Sequence, residues 1–141
     1  MPVDMPVTRL TYEEFAKTAR EYPDDPFSTF VREGRVVYVY ALTRDLCSGC
    51  EIQRPLYDEL AHKIQEKYGE RVKFAAIHVS QQEEFRDKLR DFRRMLRFAA
   101  YPTYLILLRT EVGILEAYRG IEPPMEEIAR SIDIAMELAN R

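Results

Sequence analysis

Short apolar runs alternate with longer amphipathic segments along this chain. Four of the runs are rich in β-branched and aromatic residues, which favours β-strands. These predicted strands span residues 36–42, 72–79, 104–108 and 112–118. Three amphipathic segments, residues 50–68, 81–98 and 125–138, have the apolar spacing of helices. In the first of them, apolar residues recur every fourth position at Ile52, Leu56, Leu60 and Ile64.

The N-terminal region predicts one further strand and helix. Residues 1–7 include prolines at positions 2 and 6, which indicates a loose leader. Val7 to Leu10 is a candidate short strand. Thr11 is a candidate N-cap for a helix through Arg20, because Glu14 three positions later completes a capping-box pattern.

The order of these elements predicts an α/β fold. Strands and helices alternate first, and two strands joined by a short turn come near the end. This order specifies a central mixed sheet of four to five strands with helices on both faces. The nearly continuous apolar run 36–42 predicts a central strand buried on both sides. A length of 141 residues suits a single domain over residues 1–141.

Composition and charge narrow the class of partner. The chain is 46% hydrophobic and 32% charged, with a formal net charge of -3. No basic surface for nucleic acid or an anionic membrane is therefore predicted. The first residues lack the pattern of a secretory signal, and no apolar run approaches the length of a membrane span. We therefore expect a cytoplasmic protein.

The chemistry centres on the only two cysteines, in Cys47-Ser48-Gly49-Cys50. They lie between a predicted strand and the start of a predicted helix, where unpaired backbone N–H groups favour an anion such as a thiolate. In a reducing cytosol such a pair is more often redox-active or metal-binding than structural. A metal site requires about four ligands. His62 and His78 do not lie at ligand spacing, so no metal is predicted.

With three further features, the chain resembles the thioredoxin-fold family of thiol/disulfide oxidoreductases. Pro55 follows the second cysteine by five residues, inside the helical segment. Tyr101-Pro102-Thr103 precedes a predicted strand and resembles the family's cis-proline motif. Gly120, two residues beyond the last predicted strand, resembles the glycine beside the active-site groove.

The resemblance implies roles for these residues. Cys47 would attack a substrate disulfide, and Cys50 would resolve the mixed disulfide, with Ser48 and Gly49 between them. Tyr101, Pro102 and Gly120 would contact an extended substrate segment. No bound cofactor is implied. The implied partners are protein disulfide substrates and a reductase that recycles the cysteine pair.

The sequence also departs from the family pattern. It has no tryptophan, and Leu46 stands where an aromatic residue commonly precedes the nucleophile. Tyr40 or Ala41 lies where the family often has a buried acid, and this strand contains no carboxylate. The base for the second cysteine is thus unassigned. A thioredoxin-like adaptor or chaperone-like binding module, with a structural or switching cysteine pair, remains the alternative function.

Overall fold

A single five-stranded sheet organises the protein, and the computed structural model describes it for residues 6–141. The strands are β1 (Val7–Thr11), β2 (Val37–Arg44), β3 (Val72–Val79), β4 (Thr103–Thr110) and β5 (Gly113–Ile121). The helices are α1 (Tyr12–Ala19), α2 (Ser48–Tyr68), α3 (Phe85–Leu96) and α4 (Met125–Ala139), with a 3₁₀ turn at Gly69–Arg71. Within residues 6–141, none of the helices is both long and apolar enough to cross a membrane.

The sheet is mixed, with strand order β1-β3-β2-β4-β5. β1 and β2 each pair in parallel with β3, whereas β4 runs antiparallel to both β2 and β5. Six consecutive residues of β2, from Val37 to Leu42, are buried. The predictions of a central, doubly covered strand and of a terminal hairpin are therefore confirmed.

Helices cover both faces of the sheet. α1 and α3 pack on one face, and α2 and α4 pack on the other. The long connection 23–34 joins the first face, because Phe27 and Val31 are buried there. The Phe27 ring centroid lies 4.8 Å from that of Tyr40. This connection therefore contributes to the core rather than to a groove beside the cysteines.

The N-terminal strand and its cap form as the local pattern predicts, with one correction. Thr11 accepts a hydrogen bond from the Glu14 N–H, and the Glu14 carboxylate accepts one from the Thr11 N–H. Val7, which was predicted both to end the loose leader and to begin the first strand, is buried and pairs with Phe74 in the sheet. Residues 1–5 of the predicted leader lie outside the described residues.

In helix α2, only part of the predicted four-residue apolar repeat packs against the sheet. Leu60 and Ile64 are buried, whereas Ile52 is 67% exposed and Leu56 46% exposed. Residues four apart turn by about 400°, so a strict four-residue repeat moves around the helix by about 40° at each step. The four-residue repeat was therefore a correct sign of a helix, and only its last two members lie on the buried face.

Candidate active site

The two cysteines lie where β2 gives way to α2. Cys47 is the N-cap of α2 and has an extended backbone. Its Sγ accepts a hydrogen bond from the Cys50 N–H at 3.2 Å. The two side chains form a disulfide, with Cα atoms 5.3 Å apart. A thiolate at the same position would be stabilised by this N–H and by the positive end of the helix dipole.

The two sulfur-bearing residues differ in their access to solvent. Cys47 is partly exposed, whereas Cys50 is only 6% exposed. The Cys47 Sγ lies 3.8 Å from the Tyr101 carbonyl oxygen, a contact in which a reduced thiol can donate. An incoming disulfide can therefore reach Cys47 more readily than Cys50.

Tyr101 and Pro102 lie against the disulfide, and the peptide bond between them is cis. The Tyr101 ring packs near Phe98, with centroids 5.0 Å apart, and its hydroxyl donates to the Leu89 carbonyl at 2.9 Å. Burial raises the pKa of Tyr101 to about 12, so the phenol stays neutral at physiological pH. The side chain anchors this segment, while its backbone carbonyl faces Cys47.

The prediction for Gly120 needs a correction. β5 extends to Ile121, so Gly120 lies inside this strand, paired with Tyr104, rather than beyond it. A side chain at position 120 would collide with the Tyr118 hydroxyl. The residue of this segment that reaches the cysteine motif is Glu122, which sequence reasoning missed.

Glu122 places a carboxylate over Gly49, the second of the two residues between the cysteines. A Cβ atom on Gly49 would collide with Glu122 Oε1 and lie 3.3 Å from Pro102 Cδ. The Glu122 backbone N–H donates to the Pro102 carbonyl at 3.0 Å, which fixes the segment beside the motif. Burial and, less strongly, this carboxylate raise the pKa of Tyr104. No sequence motif marks Glu122, because its position depends on where β5 ends.

Behind Cys50, on the α2 face of the sheet, lies a cavity of about 370 Å³. Its walls include Cys50 and two adjacent, register-paired residues, Ala41 and Ala76. Because both side chains are single methyl groups, the space between the sheet and α2 is left partly unfilled. We call this space the Cys50 cavity; Tyr40, by contrast, faces the opposite core.

The Cys50 cavity also has polar walls at the carboxyl ends of β2 and β3. Thr43, Asp45 and His78 line it. His78 Nδ1 lies 2.8 Å from the Thr43 hydroxyl, and its Nε2 lies 2.8 Å from the Asp45 carboxylate. The Gln81 backbone N–H, and then His78, lower the pKa of the Asp45 carboxyl. The parallel register of Thr43 with His78, which sequence alone did not supply, creates this cluster.

The remaining sequence candidates lie away from the disulfide or have structural partners. His62 is exposed on α2. Charged residues of α3 form ion pairs, such as Lys88 with Glu13 at 2.7 Å, in keeping with a solvated helix face. Within residues 6–141, no group of three His, Cys, Asp or Glu side chains is arranged to hold a metal ion.

Solved structures resemble this protein along nearly its whole length. Thioredoxin f from spinach chloroplast (short form) matches with a TM-score of 0.60 and 17% identity, covering 100% of both chains. The Trx4 domain of ERdj5 matches with a TM-score of 0.64 and 17% identity, covering 95% of this chain and 98% of that one.

A chain in the crystal structure of the complex of ferredoxin:thioredoxin reductase with thioredoxin f2 also matches, with a TM-score of 0.59 and 16% identity. That match covers 94% of this chain and 98% of the other. No protein-family model and no curated protein matches the sequence. The structural matches show that the chain has the thioredoxin fold.

Proposed function

We propose that this protein is a thiol/disulfide oxidoreductase that exchanges dithiol and disulfide with protein substrates through Cys47 and Cys50. The observation that carries the proposal is the position of the pair. One sulfur is partly exposed at a helix N-terminus and accepts a backbone N–H, and its partner is buried one helical turn later. Such an environment lowers the pKa of a thiol and makes it nucleophilic near neutrality.

The exchange has two steps. In the first, the Cys47 thiolate attacks a substrate disulfide, so that a Cys47–substrate bond forms and the other substrate sulfur leaves as a thiolate. In the second, Cys50 loses its proton and attacks Cys47 Sγ. The Cys47–Cys50 disulfide forms, the substrate sulfur leaves with the electron pair, and protonation of both substrate sulfurs completes a two-electron reduction. The reverse sequence oxidises a substrate.

The surroundings of Cys47 support a protein substrate. Leu46 is 63% exposed and Ile121 is 54% exposed, which places apolar side chains on both segments beside the disulfide. We propose that Tyr101, Pro102 and Gly120 contribute backbone contacts to an extended substrate segment. An extended peptide gains affinity from main-chain hydrogen bonds of this kind.

We further propose that the pair works in the cytoplasm and is restored by a separate reductase, with no bound cofactor. The structural likeness to a chain of the reductase–thioredoxin f2 complex supports a reductase as partner. Recycling is tested by supplying candidate reductases to the oxidised protein and measuring the appearance of free thiols.

The function is tested by insulin reduction driven by dithiothreitol. We expect wild-type protein and Ser48→Ala, a substitution of an exposed neighbour, to accelerate insulin precipitation. Cys47→Ser should remove the acceleration, and Cys50→Ser should trap a mixed disulfide on Cys47. Acceleration that survives Cys47→Ser would contradict the proposal.

A thioredoxin-like adaptor or chaperone-like binding module is the second candidate. It is favoured by Ala41, which places no carboxylate beside Cys50 in β2. If the protein is an adaptor, we expect the pKa of Cys47 to lie at or above that of free cysteine and its alkylation at pH 7 to be slow. An oxidoreductase predicts a lower pKa and rapid alkylation, so thiol titration separates the two functions.

A further inference from the structure

The second step of exchange requires a proton acceptor for Cys50, and the nearest strand supplies none. Cys50 is buried, and burial disfavours the charged form of a thiol. Ala41 on β2 and Ala76 on β3 offer only methyl groups to the space beside it. A proton from Cys50 must therefore travel farther, and the Cys50 cavity provides the space.

The cavity connects the thiol to a histidine that is held by two partners. Cys50 and His78 line the same cavity. When Nε2–H donates to Asp45, Nδ1 accepts from the Thr43 hydroxyl, and the imidazole is neutral. If Thr43 passes its hydrogen to Nδ1 and receives another from water, the imidazolium forms while both contacts remain. The Asp45 carboxylate oxygen then lies 2.8 Å from Nε2 of a positively charged ring.

We propose that His78 accepts the Cys50 proton during resolution of the mixed disulfide, through water in the Cys50 cavity and the Thr43 hydroxyl. This inference rests on the proposed function. The proton leaves Cys50 Sγ, the thiolate attacks Cys47 Sγ, and the substrate sulfur leaves with the electron pair. His78 then returns its proton to solvent, and the substrate thiolate takes one up. A polar cavity of this size has room for the bridging water.

The other charged and titratable groups that line the cavity are poorer acceptors at neutral pH. They are Arg9 of β1, Arg44 of β2, Asp45 before α2, Glu51, Arg54 and Tyr57 of α2, and Tyr104 of β4. The arginines and neutral phenols do not accept a proton at pH 7. Glu51 is exposed, and a solvated carboxylate is a weaker base than imidazole. It therefore accepts a proton from a thiol less readily. Asp45 is occupied by His78 and Gln81.

The two steps are separated by reaction of the reduced protein with 5,5′-dithiobis(2-nitrobenzoate) in a stopped-flow instrument. Attack by Cys47 releases the first thionitrobenzoate at a rate that depends on reagent concentration. Attack by Cys50 on the adduct releases the second thionitrobenzoate, and the rate of this intramolecular step does not depend on reagent concentration. The first phase reports the proposed function, and the second reports the role of His78.

We expect His78→Gln to slow the second phase about tenfold or more at pH 7 and to leave the first phase within about twofold. A thiol with the ordinary pKa of about 8.5 is about 3% ionised at pH 7, so a residue that accepts the proton as the sulfur attacks can raise the rate by up to about thirtyfold. The difference should disappear at high pH, where the thiol ionises unaided. Thr43→Val should slow the same phase, and His62→Gln, the matched control on α2, should slow neither.

Chemical rescue distinguishes proton transfer from a structural role. Imidazole added to His78→Ala should restore the second phase, because it can enter the enlarged cavity. A second phase within twofold of wild type in both His78→Gln and Thr43→Val would overturn the proposal. So would a loss caused by Glu51→Gln instead. Failure of the proposed function gives a different result, because Cys47 in wild-type protein would then react no faster than free cysteine.

Discussion

Alanine at position 49 is expected to stabilise the protein only when Glu122 is also removed. Gly49 lies in the first turn of α2 without a positive φ, so alanine should gain about 0.5–1 kcal/mol over glycine in the helix. The new Cβ would collide with Glu122 Oε1 and lie 2.9 Å from the carboxyl carbon. The carboxylate must therefore move, and the gain depends on what that movement costs.

The cost follows from the position of Glu122. Its backbone is held by the hydrogen bond to the Pro102 carbonyl and has φ of 44°, so only the side chain can move freely. Turning the carboxylate away from the N-terminus of α2 should lose about 0.3–1 kcal/mol of helix-dipole interaction. Crowding of the new Cβ atom against Pro102 Cδ should cost roughly a few tenths of a kcal/mol more, whether or not Glu122 is present. We expect Gly49→Ala alone to change the free energy of unfolding by about -0.5 to +0.5 kcal/mol. In the Glu122→Ala background, the same substitution should raise the free energy of unfolding by about 0.5 kcal/mol.

The assay is urea unfolding of the four oxidised proteins in a double-mutant cycle, with an expected coupling energy of about 0.3–1 kcal/mol. Gly34→Ala combined with Glu122→Ala is the matched control, because a Cβ atom at Gly34 would meet nothing within 4 Å. That pair should be additive. If Gly49→Ala has the same effect with and without Glu122, the carboxylate does not occupy the space above Gly49 and the reasoning is wrong.

Three further substitutions test other parts of the structure. Tyr57→Phe should destabilise the protein by about 1–2 kcal/mol in urea unfolding, since the buried hydroxyl donates to the Ala75 carbonyl at 2.9 Å and lies 3.2 Å from the Val39 carbonyl; an unchanged midpoint would contradict this. The pKa of Asp133 is lowered, chiefly by the Tyr68 hydroxyl, so its stabilisation is present above the unfolded pKa and lost as pH falls through the folded pKa. The stability difference between wild type and Asp133→Asn should therefore shrink below about pH 4 in acid titrations of unfolding, and a constant difference would refute it. Arg109→Ala removes two bonds, of 2.9 and 2.8 Å, to carbonyls of residues 23–34, and amide exchange there should quicken while that of β3 stays unchanged.

The order of the elements and the terminal hairpin could be read from the sequence because each signal was local. Thr11 and Glu14 satisfy each other within one turn, and the apolar run in β2 can be buried only between two helical layers. No local signal of this kind marked the residue at which β5 ends. Its last residues, Arg119, Gly120 and Ile121, are partly or largely exposed and show no regular alternation of buried and exposed side chains. Their pairing with β4 therefore sets the length of the strand.

The later end of β5 also changes which residues lie near the active site. The sequence predicted a strand that ends at Tyr118, with Gly120 beyond it, whereas the observed pairing continues to Ile121 and keeps Gly120 inside the sheet. The first residue free to turn toward the cysteines is then Glu122. The longer strand thus places a carboxylate beside the cysteine motif, which the sequence did not predict, while the substrate contact of Gly120 stays a prediction.

The position of the redox pair was predictable, but the surroundings of its two sulfurs were not. Cys47 faces the groove with the Tyr101 carbonyl, and the Glu122 carboxylate lies over the neighbouring Gly49. Cys50 faces a cavity that exists because alanines meet across two parallel strands. A negative charge near the cysteine motif opposes a thiolate there, whereas the helix N-terminus favours it, so the balance of the two sets the reactivity of the thiol. The second step depends instead on a proton path through the cavity. Substitution of His78 should therefore alter the second half of the exchange without altering the first.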